Sequence, residues 1–405
     1  MKNNNYIIKQ TENNFFNEWL INFKDKIIHG ELGFIPVIIG LLCVVVIFYF
    51  ANPIFLSPRN ISNLTLQIGV LGVMTLGVCL VLFLGEIDLS AGSVSGFCAV
   101  VMVMLSSKLG FGGVLAILTA ISVGCLIGFI HGKWLTFFGA PSFIVTLTGL
   151  LVWQGLHRMF MGNQVGQMLM NDPLVIGIAS TYLPMWISII ILIIVILISY
   201  TFFFRELAFS NKTFYNVLSA FCKYSIYPII GLGTFAVLSL HHGVPLLLII
   251  LLTITLFLTL LTEYSKFGVH IFAVGGNGEA ARRTGVEVNK IRIIIFSLCS
   301  GLAAISGIIS VSRQFAVDTN TGGGNLILDA IAAAVIGGTS LFGGRGRIIG
   351  ALLGALVIGS VANGLDLLGQ SANVKSIITG LILLAAASID IISRRRRILS
   401  GKGGA

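Results

Sequence analysis

Long uncharged apolar runs recur along the chain from Ile35 to Ile392, separated by short polar stretches. In order they are Phe34–Phe50, Leu64–Leu84, Val94–Leu105, Val114–Ile130, Phe143–Met159, Leu183–Phe204, Ile226–Leu240, Val244–Leu261, Ile293–Val311, Leu326–Leu341, Ile348–Val361 and Val374–Ile392. A helix needs about 20 apolar residues to cross a bilayer, so most of these runs predict transmembrane helices. Val94–Leu105 is short for a crossing unless its helix begins at Ser90. Pairs of the short Gly-rich runs can be half-crossing hairpins without changing which side the tails occupy. The pattern predicts an all-α fold, a polytopic membrane helical bundle of about 10–12 transmembrane segments.

The polar segments divide the chain into three parts. Residues 1–33 are Asn-rich and lack the short apolar core and small-residue cleavage site of a signal peptide, so they read as a cytoplasmic N-terminal tail with a short amphipathic helix around Phe15–Ile28. Residues 34–393 form the membrane domain, and 394–405, opening with Arg394–Arg397, form a basic C-terminal tail. If all twelve runs cross, both tails share one side with 20 Lys and Arg, and only 5 (Arg59, Lys108, Arg158, Arg313 and Lys375) face the other. The positive-inside rule then makes the tails cytoplasmic, together with the loop 263–292.

Composition agrees. Of 405 residues, 56% are hydrophobic and 10% charged, with mean hydropathy +1.00, which excludes a soluble domain. The chain has 48 glycines against 8 prolines, as suits helices whose backbones must approach closely in lipid. The six cysteines are scattered, five of them inside apolar runs, and read as reduced core residues. A net charge of +10 is explained by basic membrane loops and points to lipid, not nucleic acid.

The polar stretch Gly275–Arg292, GGNGEAARRTGVEVNKIR, lies between apolar runs and is the first candidate for chemistry. Asn277 is a plausible N-cap, Glu279 falls in a first helical turn near the positive dipole end, and Gly285 stands at the stop. The result would be one or two turns of helix on the membrane surface, which a soluble partner can grip or which simply anchors a basic loop. GEIDLS, with Glu86 and Asp88, is the second candidate. Carboxylates beside apolar segments are costly enough to suggest a pathway role, yet Asp88 or Ser90 would equally cap the helix that follows. Asp329 in LDAIAA invites the same pair of readings. GEIDLSAGS and GGTSLFGGRGR (Gly337–Arg347) each lead into Gly-spaced helices carrying HG (His131, Gly132) or NG (Asn363, Gly364), a weak internal repeat of the kind transporters place around a substrate path.

Other chemistry is not supported. The histidines show no metal-ligand spacing, and His241–His242 at a turn reads as solvated. No nucleophile elbow or paired carboxylate suggests hydrolysis. No GxxxxGK[ST] occurs, so the chain holds no usual phosphate loop, binds no cofactor directly, and any ATP-driven process requires another subunit.

FGVHIFAVGGNGEAARRTGVEVNKIR resembles the coupling segment of binding-protein-dependent ABC importers for monosaccharides, the permease family serving ribose, xylose and galactose. The resemblance covers most of the chain, through EIDLSAGS (Glu86–Ser93), PSFIVTLTG (Pro141–Gly149), LDAIAAAVIGGTSLFGGRGRIIGALLGALVIG (Leu328–Gly359) and ANGLDLLG (Ala362–Gly369). The long middle portion, Met161–Pro245, is most similar to the xylose-type permease. Two departures, Arg345 with Arg347 and the doubled Arg282–Arg283, add positive charge. The resemblance implies a non-enzymatic subunit in the bacterial inner membrane that imports a monosaccharide, D-xylose, by alternating access. It implies a second permease copy, a cytoplasmic ABC ATPase that uses the ATP, and a periplasmic or tethered sugar-binding protein. It further implies ATPase coupling through Gly276, Asn277, Glu279, Ala280, Ala281, Arg282 and Gly285, and Glu86, Asp88, Ser90, Asp329 and Asn363 are candidates for the substrate pathway.

Two rival readings differ in class. A proton-coupled sugar symporter would be expected to carry ionisable residues in mid-helix, and these runs hold very few. An intramembrane enzyme would need an assembled acid, base or metal site.

Overall fold

A computed structural model describes residues 35–162, 166–209 and 214–399. The N-terminal tail with its expected helix at Phe15–Ile28, and residues 400–405, lie outside the described residues. The described chain contains fourteen α-helices: α1 (Ile35–Ala51), α2 (Pro58–Phe83), α3 (Ala91–Val103), α4 (Gly113–Phe138), α5 (Ser142–Met161), α6 (Pro173–Ser180), α7 (Met185–Phe209), α8 (Phe214–Ser239), α9 (Leu246–Glu263), α10 (Lys266–Arg283), α11 (Val288–Gln314), α12 (Leu326–Ile336), α13 (Ile348–Leu367) and α14 (Ala372–Leu399). A π-helical turn carries α3 on to Lys108. The short strands β1 (Gln167–Leu169) and β2 (Ala316–Asp318) pair antiparallel.

Every apolar run falls on a helix. Among the described residues, seven helices (α2, α3 with its π turn, α4, α7, α9, α11 and α13) are long and apolar enough to cross a membrane. α12 has 11 residues and spans about 16 Å, roughly half a hydrocarbon core of about 30 Å. The run Leu326–Leu341 is cut short because the chain turns at Gly337–Gly338, where Gly338 has φ +88°. The basic stretch Arg205–Lys223 is mostly helix, since α7 continues to Phe209 and α8 begins at Phe214. α14 runs through Arg394–Arg397 to Leu399.

α2 and α11 form the centre, with Leu76, Leu80, Leu82, Phe83, Ile295 and Phe296 fully enclosed. Lipid gives apolar helices no hydrophobic reason to associate, so close backbone approach must supply dispersion contact instead. α4 meets α11 through glycines spaced by four on one face. A Cβ added at Gly124, Gly128 or Gly132 would lie 2.7 Å from Ser300 O, 2.1 Å from Phe296 O and 2.7 Å from Ile293 Cα. α12 and α13 pack likewise, with Gly354 against Ala333 O and Gly337 against Gly350 O.

Polar side chains tie helices at one end of the bundle. Buried Asn60 donates to Asn363 Oδ1 at 2.8 Å, and Asn363 donates to Gln67 Oε1 at 3.3 Å. That end also holds β1–β2 and the Leu240–Gly243 turn. The other end gathers α10, the α2–α3 loop and the α12–α13 loop.

Gly128→Ala is expected to destabilise the protein by about 1–3 kcal/mol or more, because backbone cannot move aside for the methyl group. Gly155→Ala, whose Cβ would meet nothing within 4 Å, is expected to leave the thermal unfolding midpoint in detergent unchanged or slightly raised. Indistinguishable midpoints for the two variants would show that the α4–α11 contact is not close-packed.

Candidate functional site

The stretch expected to carry a short surface helix does so at the end of α10. Asn277 breaks the helix with an extended backbone (φ −157°, ψ 98°), and its Oδ1 accepts the Ala280 N–H at 3.0 Å. One further turn follows. Gly285, at φ +88°, ends it, with the Gly285 N–H on Arg282 O at 3.0 Å and the Val286 N–H on Ala281 O at 3.1 Å. Glu279, Ala280, Arg282 and Arg283 are exposed, while Ala281 faces inward at 4% exposure. Glu279 and Arg282 pair at 3.3 Å with 74% and 59% of their side chains in solvent, so the pair adds little stability and both charges remain available to a partner.

Close backbone approach anchors this projection. A Cβ on Gly275 would fall 1.8 Å from Phe83 O, at the end of α2, and 2.7 Å from the Gly344 N. The Gly344 N–H itself donates to Phe83 O at 2.9 Å. Gly85, at φ +73°, abuts Phe342 O across the same junction, and the Phe83 and Phe272 rings lie 4.9 Å apart. The α2 end, the GGTSLFGGRGR loop and α10 therefore meet as one unit. The two similar loops noted in the sequence meet here face to face.

A second bond reaches the far end of the same stretch. Arg292, in the first turns of α11, pairs with Glu86 at 3.0 Å, with only 14% of the Glu86 side chain exposed. Glu86 thus faces a guanidinium.

Two residues further along, Asp88 is buried at 1% exposure. Its Oδ1 accepts the Ser90 N–H at 2.9 Å and the Ser90 hydroxyl at 2.6 Å. Ser90 Oγ lies 3.4 Å from His131 Nδ1, and Trp153 Nε1–H donates to His131 Nε2 at 3.0 Å. An indole nitrogen only donates, so Nε2 is the acceptor and the neutral ring carries its proton on Nδ1, an assignment made from the network. A directed chain runs Trp153 to His131 to Ser90 to Asp88. It locks the start of α3 to α4 and α5. Ser90 sits at the N-cap of α3 without a capping side-chain bond, so Asp88 makes an Asx turn and neither residue caps the helix as expected.

Asp329 lies in the first turn of α12, two residues from Ile327, which packs near Gly92 of α3, and Asn363 lies at the opposite end. Asp329 is half-buried against Thr379 of α14, and Asn363 belongs to the amide network with Asn60. Glu86, Asp88 and Ser90 cluster at the start of α3, and Asn363 stands apart from them in the amide network. Sequence reasoning missed the roles of Arg292, His131 and Trp153; their partners are far away in the chain, and only the HG dipeptide at His131 had drawn notice. The His241–His242 turn walls a cavity of about 590 Å³ with Arg59, Asn63, Tyr182 and Arg313. Desolvation, then the neighbouring His242 and Arg59, hold the His241 imidazole below its ordinary pKa.

The family model for the branched-chain amino acid transport system permease component matches residues 60–387. The chain is 33% identical over 370 residues to the xylose transport system permease protein XylH of Haemophilus influenzae, covering 89% of this chain and 98% of that protein. It is 33% identical over 350 residues to XylH of Escherichia coli, covering 84% and 87%. It is 31% identical over 354 residues to the ribose import permease protein RbsC of Bacillus subtilis, covering 87% and 91%. No solved structure matches.

Trp153→Phe leaves the buried His131 Nε2 without its donor and is expected to cost about 1–3 kcal/mol. Asp88→Asn, which weakens a charge-assisted pair of hydrogen bonds, is expected to cost a similar amount. Thermal unfolding in detergent reads both. A double variant no worse than either single change is expected if the groups act as one chain.

Proposed function

Because the chain belongs to the permease family of the branched-chain amino acid transport system type, we propose that it is the membrane-spanning subunit of an ABC importer that brings D-xylose into the cytoplasm. The observation that carries this reading is the near end-to-end similarity to xylose permeases, 33% over 370 residues, with the ribose permease at 31%. A pentose is neutral and rich in hydroxyls, so its path needs hydrogen-bonding groups and no strong carboxylate site. The pairing of Glu86 and the internal use of Asp88 agree with such a path.

In this reading the α10 end is cytoplasmic, as are both termini, and the chain lies in the plasma (inner) membrane. A separate ATPase subunit binds and hydrolyses ATP and grips the turn from Gly276 to Gly285. Movement of that turn is delivered through Gly275 to the end of α2 and the Gly344 loop, and through Arg292 to Glu86 at the entry to α3. The middle of the chain is filled by α2 and α11, so the sugar passes between this chain and a second permease copy. A binding protein presents the sugar at the opposite end. The two copies rock and open the passage to each side in turn.

Reconstitution with the partner ATPase and binding protein tests this. ATP-dependent uptake of labelled D-xylose is expected, and excess ribose should compete poorly; ribose uptake without xylose uptake would reverse the substrate assignment. Glu279→Lys combined with Arg282→Glu is expected to lower uptake at least about tenfold, a coupling loss of about 1.4 kcal/mol, while basal ATP hydrolysis persists. Normal transport by that variant would remove the coupling role of the α10 turn. Uptake that follows a proton gradient without ATP would favour a secondary transporter.

Arg292→Glu and Glu86→Arg are each expected to impair uptake, and the exchanged pair to recover part of it. Failure of any recovery would mean that the ion pair is not the link.

A further inference from the structure

Between α4 and the first half of α11, at the α10 end, runs a groove of about 860 Å³. Its floor is apolar and comes from membrane helices: Phe129 and Cys125 from α4, Ile293, Ile294 and Leu298 from α11. Its mouth is basic, with Lys133, Lys290 and Arg282, against which Glu287 is the one acid among the lining residues. The Lys133 ammonium lies 5.6 Å above the Phe129 ring, which sets a cation directly over the apolar wall. Lys290 touches Glu287 at 3.5 Å, with both side chains about 70% exposed (68% and 72%), a contact too weak to commit the lysine.

Depth identifies the occupant. Cys125 lies eight residues below Lys133, about 12 Å along the helix, and Leu298 lies ten below Val288, about 15 Å. A soluble subunit seated on the α10 turn cannot follow a groove that far toward the bilayer centre, but an acyl chain can. The groove is also continuous with the outward apolar face of α4, where Leu118, Leu126, Phe129 and Ile130 are all exposed. A floor that takes hydrocarbon under a rim of three cations matches an anionic amphiphile, and basic pockets between membrane helices take such headgroups.

We propose that this α4–α11 groove is a binding site for an anionic phospholipid of the leaflet on the α10 side, with its acyl chain along Phe129, Ile294 and Leu298 and its phosphate held by Lys133 and Lys290. The site adjoins the α10 turn through Arg282, so bound lipid braces the start of α11, where Arg292 meets Glu86.

The full-length permease, purified in detergent, can be titrated with phosphatidylglycerol or phosphatidylcholine and read by native mass spectrometry. Phosphatidylglycerol is expected to bind the wild type more tightly. Each lysine removed, in Lys133→Gln, Lys290→Gln and their combination, is expected to weaken phosphatidylglycerol about fivefold and leave phosphatidylcholine unchanged. Ile294→Trp, which fills the floor and keeps the charges, is expected to weaken both lipids. Equal binding of the two lipids to the wild type, or undiminished phosphatidylglycerol on the double lysine variant, overturns the proposal. So does a double variant that loses the ATPase subunit while its lipid binding stays the same, since the rim would then belong to that interface.

Discussion

Hydrocarbon is as apolar as leucine, so a bilayer does not drive helices together as water does. What remains is contact, and contact between helices is greatest where backbones touch. This chain places glycine at such points. Gly124, Gly128 and Gly132 bring α4 onto α11, Gly337 and Gly354 bring α12 onto α13, and Gly275 brings α10 onto the carbonyl of Phe83. The last contact belongs to the same class as the others, but it joins a surface projection to the core. Backbone packed on backbone is hard to compress, so displacement of the α10 turn is passed on to α2 and the Gly344 loop and is not absorbed by side-chain rearrangement.

The polar groups follow from the same solvent. An unpaired carboxylate beside hydrocarbon is expensive, and Glu86 and Asp88 each find partners near the α10 end. Glu86 takes Arg292 as counter-ion, while Asp88 takes the backbone and hydroxyl of Ser90. Asn60, Gln67 and Asn363 satisfy one another across α2 and α13. Such groups act as ties between helices.

The molecule divides its labour accordingly. A packed apolar body supplies rigidity, the α10 turn exposes its charges, and the junction of α2, α10 and the α12–α13 loop connects them. An importer subunit that draws its energy from a separate ATPase needs those three parts. The α4–α11 groove adds a place where the bilayer itself touches the same machinery.

Local physics made much of this legible in one dimension. Long apolar runs had to become helices, because only a helix satisfies the backbone of a single segment in lipid; Asn277 had to favour a cap and Gly285 a stop, because both preferences act within a few residues. Family membership was readable because long blocks such as LDAIAAAVIGGTSLFGGRGRIIGALLGALVIG are specific. Tertiary structure alone decided the rest. The pairing of Glu86 with Arg292 and the chain from Trp153 to Asp88 join residues on different helices, and no local preference encodes which helix ends share a membrane face. The distance of Asn363 from the Glu86–Ser90 cluster, the half-length of α12 and the helical character of Arg205–Lys223 were likewise set by packing, which depends on shape across the bundle and not on spacing along the chain.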